Sequence, residues 1–372
     1  MQMTVKQYRE ILNRLTLKGR SSIEILDKTV ALMADGSAQA TDMLISVTTG
    51  PEVFPTGEYG MVVSLPDLKA AAKGLKAADT LTLSRTNFAL IVENKFGEIK
   101  VSEVGPLADW PTLPVPPTED IQALAPNYVE EFIAVSKAAG HLTDRPELCG
   151  VMHRPDGSGM IATDSYRLHN STVPTFTYPD DHGTILIETG VVDHLKRGTF
   201  TKCAASRQSR GSRDTQGGKI EAIYNVFFFD QVGFTLAVRC EAFGASANRM
   251  ASSWPNDLIP RNNLDCETVS LAEDIVDKVK WLEGTTTTGD VGDSHIVTDG
   301  ADLVLGSARI RGVLSDPVEV QAHYNPTFFR EVVEFAHTTL EIHGALRPAV
   351  LYNDQTAETE RTALIMPVRR PQ

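Results

Sequence analysis

The sequence predicts an α+β fold in which one helix-and-sheet unit is repeated three times. The first observation is the segment IATDSYRLHNSTVP at 161–174, which follows an Asp-Gly pair. The same order of Asp-Gly and then Ala-Thr-Asp recurs at 34–47, and a fainter copy lies at 298–313. The second observation is a Trp-Pro segment, WPTLP at 110–114, which recurs as WPNDLIP at 254–260. We therefore expect three structural copies joined by two linkers.

Composition fits a folded protein of more than one domain. The chain has 372 residues, of which 42% are hydrophobic and 22% charged, and this argues against disorder. The four cysteines are widely spaced without a CxxC pair, so we expect reduced thiols and no metal site. The N-terminus does not resemble a signal peptide and no apolar run is long enough to span a membrane, so we expect a cytoplasmic protein.

The first copy begins with a helix predicted at 4–17, where Thr4 and Gln7 form a capping box. A second helix is predicted at 66–77, with Pro66 in its first turn. Strands are predicted at 22–33, 38–48, 60–65, 80–84, 87–93 and 98–103. The proline-rich segment 110–120 then reads as a linker.

The second copy begins with a helix at 126–139, which buries Val129, Phe132, Ile133 and Val135 or a subset of them. A second helix is expected at 189–197. Strands are expected on either side of the Asp-Gly turn and at 183–188, 219–229 and 232–240. The basic segment 201–218 between them is predicted to be a long mobile loop.

The third copy begins with a capping box formed by Ser270 and Glu273, and the helix that follows buries Ile275, Val276, Val279 and Leu282. A helix at 326–336 and strands at 338–343, 348–352 and 362–368 complete the chain. Each copy thus reads helix, strands, helix, strands. The predicted domains are 1–118, 119–263 and 264–372.

Catalytic and metal-binding motifs are missing from the sequence, which disfavours an enzyme and predicts no cofactor and no metal. Asp164 and His169 are candidates for an acid–base pair, but a strand would place them on opposite faces. Hydrogen bonding of Asp164 within a turn is the favoured alternative, and Asp42 would do the same in the first copy.

Basic residues are concentrated on predicted helices, although the net charge of the chain is −13. Such helix faces suit phosphate contact without base reading, because a local basic surface can bind phosphates on an acidic protein. A solvated helix face is the alternative for any single residue. The candidate DNA-facing residues of the first two copies are Lys6, Arg9, Arg14, Lys69, Lys73, Lys76, Lys137, Lys196 and Arg197.

Five segments occur in a fixed order along the chain: LTDRPELCGV at 142–151, ATDSYRLHNSTVP, WPNDLIP, HYNPTFFREVVEFA at 323–336 and LIMPVR at 364–369. Together with the repeat, they resemble the bacterial DNA polymerase III β subunit family, the DNA sliding clamps. The second segment is similar to that family's ATD-G-H-R-L segment, and the last to its terminal Val-Met-Pro-Met-Arg. The resemblance covers nearly the whole chain and is weakest over 17–60.

The resemblance implies a head-to-tail homodimer that forms a six-domain ring, with helices lining a central hole. It further implies a non-catalytic replication processivity factor that encircles double-stranded DNA without sequence preference. A DNA polymerase and a clamp loader would be its partners, in the cytoplasm and associated with the nucleoid. The basic helix residues would face the DNA.

The family's partner site is a pocket for a short apolar peptide between the middle and C-terminal domains. The apolar members would bury a Leu or Phe of the partner, while Thr163 and Arg167 would fix its backbone. Ordinary core packing is the alternative for Leu168, Leu364 and Met366. Carried over residue by residue, the pocket is Leu148, Thr163, Ser165, Tyr166, Arg167, Leu168, Pro255, Leu258, Leu364 and Met366.

Ser165-Tyr166 stands where the family usually has Gly-His, which implies a changed peptide preference. A host's main clamp, a paralogous clamp and a phage-encoded clamp all remain compatible with the sequence. Two other functions remain open. One is a dimeric DNA-binding regulator that grips DNA with the basic loop 201–218, and the other is a carbohydrate- or nucleotide-processing enzyme around Asp164 and His169.

Overall fold

The structure is a computed structural model that describes residues 1–17, 25–140, 145–178, 184–215, 218–243, 266–284, 295–305, 307–353 and 359–368. The chain forms two compact units. Unit 1 comprises Met1–Leu124, Gly190–Ser209 and Ile223–Cys240, and unit 2 comprises Ala125–Thr189, Arg210–Ala222 and Glu241–Gln372. The second predicted linker, 254–260, lies outside the described residues.

The helices are α1 Val5–Leu15, α2 Leu65–Ala70, α3 Tyr128–Ser136, α4 Val192–Leu195, α5 Ile275–Gly284 and α6 Pro326–Phe335. The first strands are β1 Gln2–Thr4, β2 Thr29–Leu32, β3 Ala38–Thr41, β4 Ile45–Thr48, β5 Met61–Ser64, β6 Thr80–Thr86, β7 Ala89–Asn94 and β8 Gly97–Gly105. The next are β9 Gln122–Ala123, β10 Gly150–His153, β11 Met160–Thr163, β12 Arg167–Ser171, β13 Thr184–Glu188, β14 Phe200–Thr215, β15 Gly218–Asp230 and β16 Thr235–Phe243. The last are β17 Glu267–Ser270, β18 Ile296–Asp299, β19 Asp302–Leu305, β20 Ala308–Ile310, β21 His323–Tyr324, β22 Thr339–Ile342, β23 Ala349–Tyr352 and β24 Arg361–Ile365.

The order of elements repeats three times, as the sequence predicts. Within the described residues, each repeat is a strand, a helix, four strands, a helix and three strands, starting at β1, β9 and β17. The four central strands pair antiparallel in the order β5-β2-β3-β4, then β13-β10-β11-β12, then β21-β18-β19-β20. The strand before the first helix pairs in each case with the strand after the second helix.

The same additional pairing occurs once in each unit. In unit 1, β4 pairs with β16, and Ser46 lies opposite Ala237. In unit 2, β12 pairs with β24, and Leu168 lies opposite Leu364. These two pairings extend the central strands of the first and second repeats by one strand each, and they position the two hairpins described below.

The predicted start of α1 is confirmed. The Gln7 N–H donates to Thr4 Oγ1 at 3.2 Å, and Gln7 Oε1 accepts the Thr4 N–H at 2.9 Å, so both halves of the capping box are present. The apolar face of the helix is then buried at Val5, Tyr8, Leu12 and Leu15. The N-cap of α6 is Asn325, whose Oδ1 accepts the Phe328 N–H at 3.1 Å.

Four predictions of local structure are wrong. In the described part of the strand predicted at 22–33, Leu26–Lys28 is a 3₁₀ helix and only Thr29–Leu32 is a strand. The helix predicted at 66–77 ends at Ala70, and turns follow it. Ser270 is the last residue of β17 and pairs with Thr339, so strand pairing replaces the predicted helix cap and α5 begins only at Ile275. The described part of the segment 201–218 is not a loop, because β14 runs to Thr215 and the backbone at its start, Lys202 and Cys203, pairs with β9.

Candidate functional site

Side-chain hydrogen bonds close the turn between β11 and β12. Asp164 Oδ1 accepts the backbone N–H groups of Tyr166 and Arg167, each at 2.9 Å. Thr163 Oγ1 donates to the carbonyl of Arg167 at 2.7 Å and accepts the N–H of Ser165 at 3.1 Å. The favoured role of Asp164, hydrogen bonding within a turn, is confirmed.

The turn between β3 and β4 is built in the same way. Asp42 Oδ1 accepts the N–H groups of Leu44 at 2.9 Å and Ile45 at 2.6 Å. Thr41 Oγ1 donates to the carbonyl of Ile45 at 3.2 Å and accepts the N–H of Met43 at 3.0 Å. The repeated Ala-Thr-Asp segment therefore encodes one hairpin with the same hydrogen bonds in each of the two units.

The predicted pocket residues on β12 and at the end of the chain are brought together. Leu168 and Leu364 lie opposite each other and belong to one buried cluster with Val350. Beyond this pair, the Met366 N–H donates to the carbonyl of Tyr166 at 2.8 Å. The side chains of Tyr166 and Met366 remain exposed, at 60% and 38%. An exposed apolar pair thus borders a buried one.

Arg167 is held in place by its neighbours. It is buried, with Nε 3.3 Å from Asp164 Oδ2 and Nη1 in contact with Glu331. Its guanidinium lies 4.4 Å from the centre of the Phe328 ring. Burial lowers the pKa of Arg167, and the carboxylate of Asp164 opposes this shift. The Arg167 side chain is therefore held in one position between the hairpin and the helix α6.

The remaining predicted pocket residues lie at different places. Leu148 is buried at the end of a short 3₁₀ turn. Just before that turn, Arg145 Nη1 donates to Ser165 Oγ at 2.9 Å, which ties the turn to the exposed end of the hairpin. Pro255 and Leu258 lie outside the described residues.

The proposed acid–base pair is not supported by the surroundings of His169. This ring is fully buried and stacks on Phe335 with 4.2 Å between ring centres. Its Nδ1 lies 3.0 Å from the carbonyl of Ala134. Burial lowers the pKa of His169 to about 3, so the imidazole is neutral and inside the core. Asp164 is occupied by its turn.

Sequence reasoning missed the contribution of α6 to this site. Phe328 stacks against Tyr166 with 6.2 Å between ring centres, and Glu331 contacts Arg167. Both residues lie in the segment HYNPTFFREVVEFA, which the sequence indicated as a helix and as part of the family resemblance but not as part of the pocket. A Phe and a Glu in the first turns of a helix are common, so the sequence does not indicate that Phe328 and Glu331 contact Tyr166 and Arg167.

The three arginines among the candidate DNA-facing residues bind protein groups in unit 1. Arg9 donates to two carbonyls just beyond α2, at 2.8 and 3.0 Å. Arg14 Nη1 lies 2.8 Å from Asp230 Oδ2. Arg197 donates to two carbonyls at the C-terminal end of α1, at 2.8 and 2.7 Å. These arginines join α1, α2 and α4 on one side of the unit.

The candidate DNA-facing lysines of unit 1 are exposed on the same helices or just after them: Lys6, Lys69, Lys73, Lys76 and Lys196. Partial burial lowers the pKa of Lys69, and the nearby positive charge of Arg197 lowers it further. Lys69 lies on α2 and Arg197 follows α4, so this effect of one charge on the other means that the basic ends of α2 and α4 lie close together.

Unit 2 holds its basic helix residues in ion pairs. Lys137 Nζ lies 3.2 Å from Glu334 Oε2, and Lys280 Nζ lies 3.4 Å from Glu334 Oε1. Arg330 Nε lies 2.5 Å from Glu283 Oε2. Among the described candidate DNA-facing residues, the lysines of unit 1 other than Lys6, which lies 4.0 Å from Glu10, are therefore the ones exposed outside such ion pairs.

No cluster of three His, Cys, Asp or Glu side chains that could hold a metal ion occurs within the described ranges. None of the helices in the described part of the chain is long and apolar enough to cross a membrane.

No protein-family model and no curated protein matches the sequence. Solved structures match it from end to end. The sliding clamp of Bacillus subtilis is 16% identical over 100% of this chain and 99% of its own, with a TM-score of 0.71. The DNA polymerase III β subunit of Pseudomonas aeruginosa is 13% identical over 100% of both chains, with a TM-score of 0.73. A clamp of Bartonella birtlesii bound to griselimycin is 16% identical over 100% of this chain and 99% of its own, with a TM-score of 0.72. The chain therefore has the fold of the bacterial DNA polymerase III β subunits, the DNA sliding clamps.

Proposed function

We propose that this protein is a DNA sliding clamp, a non-catalytic processivity factor that encircles double-stranded DNA and tethers a DNA polymerase. The observation that best supports this function is the full-length match to clamp structures by a chain whose elements repeat three times. Two chains would pair head to tail in a ring of six domains, with domains at 1–118, 119–263 and 264–372 of each chain. A clamp loader would open and close the ring.

The exposed lysines of unit 1 support the DNA-binding part of the proposal. Flexible, solvated ammonium groups suit weak phosphate contacts that carry no sequence information. Weak contacts are sufficient because a closed ring stays on DNA through its topology. Arg9, Arg14 and Arg197 would then position the helices that carry the lysines, since their own donors already bind protein carbonyls and a carboxylate.

The hairpin of β11 and β12 supports the partner-binding part of the proposal. Tyr166 and Met366 offer exposed apolar surface beside the buried Leu168 and Leu364. Met side chains adapt to several partners because they are unbranched and flexible. Arg167 would shape the wall and leave the backbone contacts to other groups, because it is already bound to Asp164 and Glu331.

The regulator alternative loses its main support, because the segment expected to be a gripping loop is largely strand β14. It also gives no reason for three equal repeats. An enzyme around Asp164 and His169 loses its support for the reasons of geometry given above.

The ring is tested by small-angle scattering with in-line light scattering on the purified protein. We expect a hollow particle of twice the mass of the 40.6 kDa chain. A compact monomer without a central hole at all concentrations would contradict the closed ring.

The peptide pocket is tested by calorimetry with the blocked peptide acetyl-Ser-Leu-Ser-Leu-Phe-amide. We expect micromolar binding, about −8 kcal/mol, at a site in unit 2 that is lost when Leu364 and Met366 are both replaced by Ala, so this variant should bind one peptide fewer per chain than wild type. A second double variant, Tyr166→Ala with Met366→Ala, changes only exposed side chains and leaves the buried Leu364 in place, so it tests the same pocket without disturbing the core. Leu346→Ala, at another exposed position, should bind normally. Unchanged binding by both double variants would refute the pocket.

A further inference from the structure

Unit 1 contains a cavity of about 400 Å³ that the proposed function does not use. Its wall includes strands β3, β4 and β16 on one side and the proline-rich segment after β8 on the other. A volume of this size is typical of sites that bind small ligands or a few side chains of a peptide. The lining residues used below are Gln39, Ser46, Thr48, Trp110, Leu113 and Ala237.

The cavity lies beside the strand pairing of unit 1 that corresponds to the strand pairing of the proposed peptide pocket in unit 2. Ser46 lies opposite Ala237 where β4 pairs with β16, and Leu168 lies opposite Leu364 where β12 pairs with β24. Both pairs follow a hairpin closed by the same Thr and Asp hydrogen bonds. In unit 1 the facing residues are therefore small, whereas in unit 2 they are two leucines.

The small residues explain the open space. A serine and an alanine on neighbouring strands leave the volume that two leucine side chains fill in the other unit. Leu113 and the prolines around it line the opposite wall, so the cavity has an apolar surface across from a mixed one. Gln39 and Thr48 add polar side chains on the strand side.

The indole of Trp110 supplies a donor that lacks an acceptor. Its Nε1–H is buried and has no hydrogen-bond partner among the described residues. A buried N–H without a partner is unfavourable, and Trp110 is one of the residues that line the cavity. A peptide backbone carries carbonyl acceptors at regular spacing and brings apolar side chains along with them.

We propose that this cavity is a second peptide-binding groove, which takes a short extended segment with Leu or Phe side chains from a protein partner. Its choice of ligand rests on the proposed function, because the peptide class is the one proposed for unit 2. A chain would then bind two such segments, one in each unit. The Trp110 donor would hold a peptide carbonyl, and the space above Ser46 and Ala237 would hold an apolar side chain.

The test uses full-length protein labelled with 5-fluorotryptophan and the same blocked peptide, acetyl-Ser-Leu-Ser-Leu-Phe-amide. The chain has three tryptophans, and Trp110→Phe identifies the fluorine signal of Trp110. We expect this signal to shift saturably as peptide is added. The shift should persist when Tyr166 and Met366 are both replaced by Ala, because that pair belongs to unit 2.

A cavity-filling variant tests the location. Ala237→Leu should abolish the shift of the Trp110 signal, while Val232→Leu, at an exposed position of the same unit, should leave it unchanged. Trp110→Phe, which keeps the ring and removes the donor, should lower the calorimetric stoichiometry from two peptides per chain to one or weaken the second site at least tenfold. Trp281→Phe is its exposed control.

The outcomes separate the two proposals. If the peptide binds in unit 2 and the Trp110 signal does not move, the second groove is refuted and the clamp function stands. A shift that survives Ala237→Leu also refutes the groove. If the signal of Trp110 moves but the Tyr166 and Met366 double variant binds as many peptides as wild type, the pocket in unit 2 is the part that fails.

Discussion

Met43 and Ser165 take equivalent positions in the two hairpins and have the same unusual backbone, each with φ of 77°. A left-handed conformation costs a residue with a Cβ about 1 kcal/mol. The Asp and Thr hydrogen bonds on either side hold the backbone there and offset this cost. The hairpin therefore keeps its geometry with side chains where glycine would be unstrained.

Met43→Gly should stabilise the protein. Its side chain is 46% exposed, so little packing is lost, and the left-handed strain disappears. We expect a gain of about 0.5 kcal/mol, after the greater freedom of glycine in the unfolded chain is subtracted. The measurement is urea unfolding followed by circular dichroism.

Leu44→Gly is the matched control, because Leu44 is the next residue, is 43% exposed and is not among the positive-φ residues. It should destabilise by about 1 kcal/mol, the usual cost of an unneeded glycine. Equal destabilisation by both variants would show that the turn carries no strain at Met43.

Two buried histidines should make the protein sensitive to mild acid. Burial lowers the pKa of both His153 and His169 to about 3. The unfolded chain has a histidine pKa near 6.5, so below that pH it binds protons that the folded state refuses. The stabilisation is complete above about pH 6.5 and falls by about 1.4 kcal/mol per pH unit for each histidine as the pH drops toward 3.

His169→Phe tests this prediction at one site, because phenylalanine retains a flat ring against Phe335. The midpoint of urea unfolding is measured from pH 7.5 to pH 5. Below pH 6.5 the free energy of unfolding of wild type should fall more steeply with decreasing pH than that of the variant. The difference in slope should be about 1.4 kcal/mol per pH unit, which corresponds to one proton. Parallel curves would mean that His169 takes up a proton without unfolding.

The local chemistry of these residues could be predicted only in part from the sequence. The repeat of Asp42 and Asp164 indicated a shared turn because such side chains bond backbone N–H groups two and three residues ahead. The burial of Arg167 could not be predicted, since its neighbours Phe328 and Glu331 come from a distant helix.

At the scale of elements, two similar sequence patterns that predict capping boxes form different structures. Thr4 caps α1, and its side chain accepts the Gln7 N–H. Ser270 also has a Glu three residues later, but Ser270 is the last residue of β17 and pairs with Thr339 of β22. The order of strands and helices was predictable from repetition. The choice between cap and strand was not, because the partner strand β22 lies far along the chain.

Thr4→Ala and Ser270→Ala should therefore differ in their effects on stability. Loss of the cap at Thr4 should cost about 1 kcal/mol, because the Gln7 N–H in the first turn of α1 loses its side-chain acceptor. Ser270 is exposed at the end of a strand, so its replacement should cost less than about 0.5 kcal/mol. Thermal unfolding of both variants measures this difference, and equal losses would contradict the assigned caps.

At the scale of the whole molecule, a net charge of −13 and a DNA-binding function are compatible if the positive charge is local. The structure separates the basic residues into two groups. In one group, the side chains contact carbonyls or carboxylates: Arg9, Arg14 and Arg197 in unit 1, and Lys137, Lys280 and Arg330 in unit 2. In the other group, the candidate lysines on and near α2 and α4 are exposed to solvent. Sequence alone indicated the helices that carry charge but could not distinguish these groups, because each partner is distant in sequence.

The exposed group should determine how DNA binding depends on salt. Each lysine that neutralises a phosphate releases a counterion, so the logarithm of the affinity falls with the logarithm of the salt concentration by about 0.9 per contact. Lys69→Glu with Lys73→Glu should weaken binding to a fluorescent duplex and lower this slope by about two. Lys100→Glu with Lys202→Glu makes the same charge change at exposed strand positions of unit 1, on β8 and β14, and should leave the slope within about 0.5 of wild type. Because phosphate contacts do not depend on base sequence, the loss of affinity should be equal for duplexes of different sequence.

An unchanged slope in the Lys69 and Lys73 variant would exclude these lysines from the DNA-facing surface. A loss of affinity confined to one duplex would favour sequence-specific binding over a sliding clamp.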